Sequence, residues 1–119
     1  MNSLPETIPI KRYIGIDSHK HYVMVGGMNA QREWTLRPRK VQMPRFRAWA
    51  AQNLKAGDAV VLETTANVWD IYDIVSPMVT KTVVANAYKV RQIAEARVKT
   101  DKEDVKRLIT LLIADIVPE

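Results

Sequence analysis

The run Ala59-Val60-Val61-Leu62 is apolar at every position and is closed by Glu63. A strand of this kind has no polar face to give to water. It must be covered on both sides, which is the situation of a parallel strand between layers of helix. The carboxylate at its end is costly to bury unless a cation or a donor meets it. A second run, Tyr13-Ile14-Gly15-Ile16, ends in the same way, at Asp17. Two apolar strands, each terminated by an acid, constrain the fold and the chemistry together.

The segments around these runs give an order of elements. Residues 1–10 carry two prolines and read as a flexible leader. Tyr13–Asp17 is a strand, and Tyr22–Met28 a second, after a turn at His19-Lys20-His21. Asn29-Ala30 is the next turn, and Glu33–Leu36 a third strand closed by Arg37-Pro38. The short connections favour an antiparallel meander. The period then changes. Met43-Pro44 opens a helix with Phe46, Trp49, Ala50 and Leu54 on one stripe, and Gly57 stands at its stop. Strand Ala59–Leu62 follows. Asn67 is placed to cap a helix that Pro77 stops near Ser76. Lys81–Ala85 is a fifth strand and Ala87–Ala96 a helix. A last helix starts near Thr100 and carries Leu108, Leu111, Leu112 and Ile116 as its apolar stripe.

The order β-β-β-α-β-α-β-α-α describes an α/β domain over residues 11–119. Its mixed sheet has five strands, three antiparallel and then two parallel, flanked by helices. This is the order of ribonuclease H-like folds. Right-handed crossovers set the fourth strand beside the first. Asp17 and Glu63, 46 positions apart in the chain, then share the carboxyl edge of the sheet, where ligands bind in open α/β sheets.

Asp101 and Asp104 add a pair spaced i, i+3 on the last helix, and so share a face. Thr100 and Glu103 read as a capping box, which leaves both aspartates for other work. Four carboxylates suit a hard divalent cation, Mg²⁺ or Mn²⁺. No cysteine is present, and the two histidines, His19 and His21, lack a third nitrogen or sulfur ligand for a zinc set. Thr64 and Thr65 are placed to orient the Glu63 carboxylate. Trp34, Trp49 and Trp69 read as core or interface.

The chain carries 18 Lys and Arg against 13 Asp and Glu, a net charge of +5. Such a balance attracts polyanions. One basic stretch comprises Arg37, Arg39, Lys40, Arg45 and Arg47. The other surrounds the aspartate pair with Lys89, Arg91, Arg97, Lys99, Lys102, Lys106 and Arg107. His19, Lys20, Arg97, Lys99 and Lys102 are the expected nucleic-acid contacts, since phosphates must be held near the carboxylates. A solvated basic surface is the competing reading. No apolar stretch suits a signal peptide or a membrane span, so a cytoplasmic protein without membrane contact is expected.

Tyr13-Ile-Gly-Ile-Asp17-Ser-His-Lys20, Val61-Leu-Glu63-Thr-Thr-Ala-Asn-Val-Trp69 and Ala96-Arg-Val-Lys-Thr-Asp101-Lys-Glu-Asp104 resemble the N-terminal, RuvC-like domain of the DEDD transposases. These are insertion-sequence recombinases related to the Piv invertase. The resemblance spans residues 11–116. It implies that Asp17, Glu63, Asp101 and Asp104 form a catalytic, Mg²⁺-binding tetrad. It further implies DNA as substrate, and in part of the family a guide RNA. Where the family often has a glycine pair after Glu-x-Thr, this chain has Ala66-Asn67. The family's second domain, which carries a serine nucleophile, has no counterpart here. The expectation is thus a fragment that binds DNA but does not exchange strands alone. The apolar stretch Leu108–Ile116 needs cover from the sheet or from a second copy, so a homo-oligomer is expected. Two rival readings remain. One is a non-catalytic nucleic-acid-binding module. The other is an actin-like ATPase fragment, which also opens Ile-Gly-Ile-Asp but needs glycine-rich phosphate loops, against four glycines here.

Overall fold

The computed structural model describes residues 9–65, 67–93 and 101–119, with the backbone alone at 91–93 and 101–103. The leader falls mostly outside the described residues. Five strands form one sheet: β1 (Arg12–Ser18), β2 (Tyr22–Met28), β3 (Trp34–Gln42), β4 (Asp58–Glu63) and β5 (Lys81–Ala85), in the spatial order β3-β2-β1-β4-β5. The β1–β2 and β2–β3 pairs are antiparallel, and β1–β4 and β4–β5 are parallel. The helices among the described residues are α1 (Met43–Asn53), α2 (Val68–Val75), α3 (Ala87–Ile93) and α4 (Asp101–Ile113). A single 3-10 turn, Ser76–Met78, ends α2 at Pro77.

Alternation along the strands sorts two faces. Ile14, Ile16, Val60 and Leu62 join Phe46 and Trp49 of α1 and Ile71 and Val75 of α2 in one core. The opposite residues, Ala59, Val61, Val83 and Ala85, meet Val90 of α3 and Leu108, Leu111 and Leu112 of α4. Met24 and Met28 of β2 meet Val105 and Ile109. Helices thus cover both faces of β4, as its apolar run requires.

The third strand differs from the sequence expectation. It runs nine residues, through Arg37-Pro38 and on to Gln42, rather than closing at Leu36. Being at the sheet edge, β3 can carry a proline whose missing N–H costs no ladder bond. The register slips between Leu36 opposite Gly27 and Arg39 opposite Val25, so the Arg37-Pro38 step is absorbed in an irregularity. The helix stop also differs. α1 ends at Asn53 with Leu54 in extended geometry, and Gly57, at φ +97°, instead makes the turn into β4.

The apolar stripe of the last helix folds back on its own sheet. Leu108, Leu111 and Leu112 are buried there, while Ile116, beyond the helix, is exposed. Cover from a second copy is therefore not needed for this stripe. Trp49 lies in the core and Trp34, opposite Met28, packs partly buried against the cluster of Met24, Met28, Val105 and Ile109, whereas Trp69 is 61% exposed, so it is not a core residue.

At the end of the strands away from Asp17, Asp58 is buried at 1% exposure. Arg12 donates to it twice, Nε to Oδ1 and Nη2 to Oδ2, each at 2.8 Å. The Lys55 N–H adds a third bond at 2.9 Å. This ion pair staples β1 to β4 at the start of their parallel register.

Candidate functional site

The parallel register runs from Arg12 opposite Asp58 to Ile16 opposite Leu62. One residue further on stand Asp17 and Glu63, on adjacent strands spaced about 4.8 Å. Strand alternation puts both on the face that carries Gly15, Ala59 and Val61, the face that α4 covers. Asp17 is 5% exposed and Glu63 half-buried.

The direction of α4 follows from what its two ends touch. Leu112 and Ile113 line a small cavity with Ile10 and Tyr13, at the beginning of β1. Val105 lies against Gly15 and Gly26, further along. The helix therefore runs antiparallel to β1, and its N-terminus heads for the end of the sheet that carries Asp17 and Glu63. Asp101 and Asp104 occupy its first turn. Two glycines make the approach close enough: a Cβ on Gly15 would stand 2.9 Å from the Val105 carbonyl oxygen, and one on Gly26 2.9 Å from Val105 Cγ1.

Asp104 is partly buried and accepts a bond from Arg107 Nη1 at 3.4 Å. The Asp101 side chain lies outside the described residues. Among the described residues no three His, Asp or Glu side chains make a ready metal-holding group. Thr100, Arg97 and Lys99 fall outside the described residues, as do the side chains of Lys102 and Glu103.

His19 is one partner of the Asp17 carboxylate. Its Nε2 donates to Asp17 Oδ2 at 3.1 Å. The ring stacks on Tyr22, with centroids 4.4 Å apart and 13° between planes. Lys40 Nζ lies 4.3 Å from the centroid of the same tyrosine. A continuous series, Lys40–Tyr22–His19–Asp17, thus links the edge strand to the buried carboxylate. The sequence signal for it is slight: Tyr22 opens the second strand, and Lys40 lies beyond the expected end of the third, Leu36.

The turn between β1 and β2 is fixed from α2. Asn67 Nδ2 donates to the carbonyls of His19 (3.0 Å) and Lys20 (3.2 Å). Asn67 does not cap α2 through its side chain: it sits at φ +65°, left-handed, and makes no side-chain cap bond. Asn tolerates that conformation better than most residues. Thr64 and Thr65 tie this edge of the sheet together. Thr65 Oγ1 bonds Ser18 Oγ at 2.8 Å, and Thr64 Oγ1 accepts the Ala87 N–H at the start of α3. Both hydroxyls knit the strand ends to their neighbours, and Thr65 Oγ1 also reaches the Glu63 carbonyl oxygen at 3.5 Å. A shallow cavity of about 400 Å³ opens beside them, lined by Thr64, Thr65, Asn67 and the exposed Trp69.

The donor chemistry of the edge is oxygen, which suits a hard cation. Phosphate loops are a poor fit. Gly15, Gly26 and Gly27 lie inside strands under packed side chains, and Gly57 is at the opposite end of the sheet. No protein-family model matches the chain, and no curated protein matches it. No described helix is long and apolar enough to cross a membrane.

Proposed function

We propose that this chain is the RuvC-like catalytic domain of a DEDD transposase, acting on phosphodiester bonds of DNA with Mg²⁺ or Mn²⁺. The observation that carries the reading is the placement of Asp17 and Glu63. They stand side by side at the ends of adjacent parallel strands, on the face toward which α4 brings Asp101 and Asp104. The resemblance of the three motifs to that family supplies the reaction; the geometry supports it by bringing their residues to one edge.

Asp17, Glu63, Asp101 and Asp104 would hold the cations. Divalent metal in such a site stabilises charge on the attacking and leaving oxygens. The protein's own part is orientation. His19 fixes the rotation of the Asp17 carboxylate by the bond to Oδ2, as an outer hydrogen bond does for a metal ligand. Tyr22 holds the imidazole by stacking. Asn67 holds the backbone of the same turn, and exposed Lys20 stands at the rim to meet phosphate. Strand exchange in this reading draws its serine nucleophile from a further domain, which in part of the family works with a guide RNA.

The test is cleavage of supercoiled plasmid with and without Mn²⁺, by the wild-type chain and by Asp17→Asn. Metal-dependent nicking lost in Asp17→Asn supports the catalytic reading. A chain that binds DNA, nicks it equally poorly in both forms and shows no Mn²⁺ binding that Asp17→Asn abolishes supports the non-catalytic module. The Asp104–Arg107 pair is the feature that favours this second reading, since an aspartate held by arginine has less call for a cation.

A further inference from the structure

A cavity of about 510 Å³ lies away from the carboxylates. It is a groove between the second half of β3 and the outer side of α1. Arg39 enters it from the strand and Arg45 from the helix, while Lys40 borders it with its ammonium over Tyr22 on the opposite face; all three are exposed. Gln42, Gln52 and Asn53 add amides, the nearly buried Trp49 lies among them, and no acidic residue lines it. A concave surface with two cations, a third at its border and neutral hydrogen-bonding groups suits a chain of phosphates, each needing a cation or an amide donor.

The groove also has a direction. β3 runs parallel to β1, because each is antiparallel to β2. Arg39 and Lys40 therefore lie toward the same end of the sheet as Asp17. Alternation sends neighbouring residues of β3 to opposite faces. Arg39 is opposite Val25, on the α1 side, and Lys40 opposite Met24, on the α4 side. The Lys40 ammonium reaches Tyr22, which stacks on the histidine bonded to Asp17. Lys40 thus stands between the groove that it borders and the carboxylate edge.

We propose that this groove binds the sugar-phosphate backbone of a nucleic acid and leads it toward Asp17. The proposal rests on the phosphodiester reading above and adds the surface by which the substrate is held. An added strand from a second copy is the poorer occupant, because Pro38 and the charges of β3 obstruct edge pairing. A membrane surface is poorer too, since the cations lie in a concavity rather than on a flat face with exposed apolar neighbours.

The experiment measures anisotropy of a fluorescein-labelled DNA strand, and separately of its duplex, from about 50 to about 200 mM NaCl. The variant Arg39→Ala/Lys40→Ala/Arg45→Ala is compared with Lys11→Ala/Lys55→Ala/Lys81→Ala. The second removes the same charge from exposed positions at the far end of the parallel strands. The groove variant is expected to bind at least about tenfold more weakly and to lower the salt slope by about 2, as losing phosphate contacts does. The far-end variant should stay within about threefold of wild type. The arm that binds more tightly, strand or duplex, identifies the form of nucleic acid the groove takes. Arg39→Gln/Arg45→Gln, which leaves the Lys40–Tyr22 contact in place, should show a loss in the same direction and guards against a folding defect in the triple variant. Equal losses in the groove and far-end variants would overturn the groove while leaving the phosphodiester reading standing. A wild-type chain that binds neither DNA form, or that prefers phosphatidylserine vesicles, would overturn both.

Discussion

The carbonyl oxygen of Val105 lies 2.9 Å from where a Cβ on Gly15 would stand. This contact sets the height of α4 above β1, and so the distance of its first turn from Asp17. Gly15 is needed here for space rather than for backbone freedom, since the clash would be with backbone oxygen, which cannot swing aside. Gly15→Ala is expected to cost about 1–3 kcal/mol by overpacking, read from urea denaturation. Metal affinity should fall with it as the helix is lifted. An alanine variant of unchanged stability would show that α4 is free to shift.

Arg12→Ala should be among the most damaging single changes. It strands the Asp58 carboxylate, which is 1% exposed, without its two guanidinium bonds. Removing one partner of a buried pair costs about 3–5 kcal/mol. Denaturant midpoints of Arg12→Ala, Asp58→Asn and the double variant test this, and the double variant should recover part of the loss. Strictly additive losses would mean that the two side chains do not act as a pair.

Asn67 offers a cleaner separation of two effects. Asn67→Ala loses both carbonyl contacts and strains a left-handed backbone, whereas Asn67→Gly loses the contacts alone. Each lost hydrogen bond is worth roughly 1 kcal/mol. Alanine should therefore be the worse of the two, and amide exchange at residues 19–21 should speed up in both. Unchanged exchange in that turn would argue that Asn67 does not hold it.

Much of this architecture could be read from pattern. The uninterrupted apolar run of β4 called for helices on both faces, and the fold supplies them. The short connections around β2 called for antiparallel pairing. What pattern could not show was long-range or idiosyncratic. Pro38 looks like a strand end until β3 is known to be an edge, where no N–H is required. Asn67 looks like a helix cap, but its left-handed backbone turns the amide toward the carbonyls of a turn 46–48 residues back. The Lys40–Tyr22–His19–Asp17 series needs three strands in register before any of its contacts exists. The exposed Trp69 illustrates the converse: its apolar character left core and interface open, and its place in the first turn of α2 keeps it out of the core.

His19→Ala should leave stability nearly intact and weaken metal binding. The imidazole is partly exposed, so its packing loss is small, but the Asp17 carboxylate loses the bond that orients it. Loss of an outer partner of this kind reduces metal affinity about 10- to 100-fold. Mn²⁺ titration calorimetry on the two proteins is the check, and equal affinities would remove His19 from the account.

The central claim, that Asp17 and Glu63 belong to a divalent-metal site, is tested most directly by anomalous diffraction from crystals grown with Mn²⁺. The account predicts an anomalous peak bounded by the Asp17 and Glu63 carboxylates and by the first turn of α4, absent from Asp17→Asn crystals under the same conditions. Occupancy should also raise the melting temperature of the wild type alone, since ligand at about a hundredfold its Kd stabilises by ~2.7 kcal/mol. Crystals that bind Mn²⁺ elsewhere while this edge holds none, together with equal melting shifts in wild type and Asp17→Asn, would contradict it.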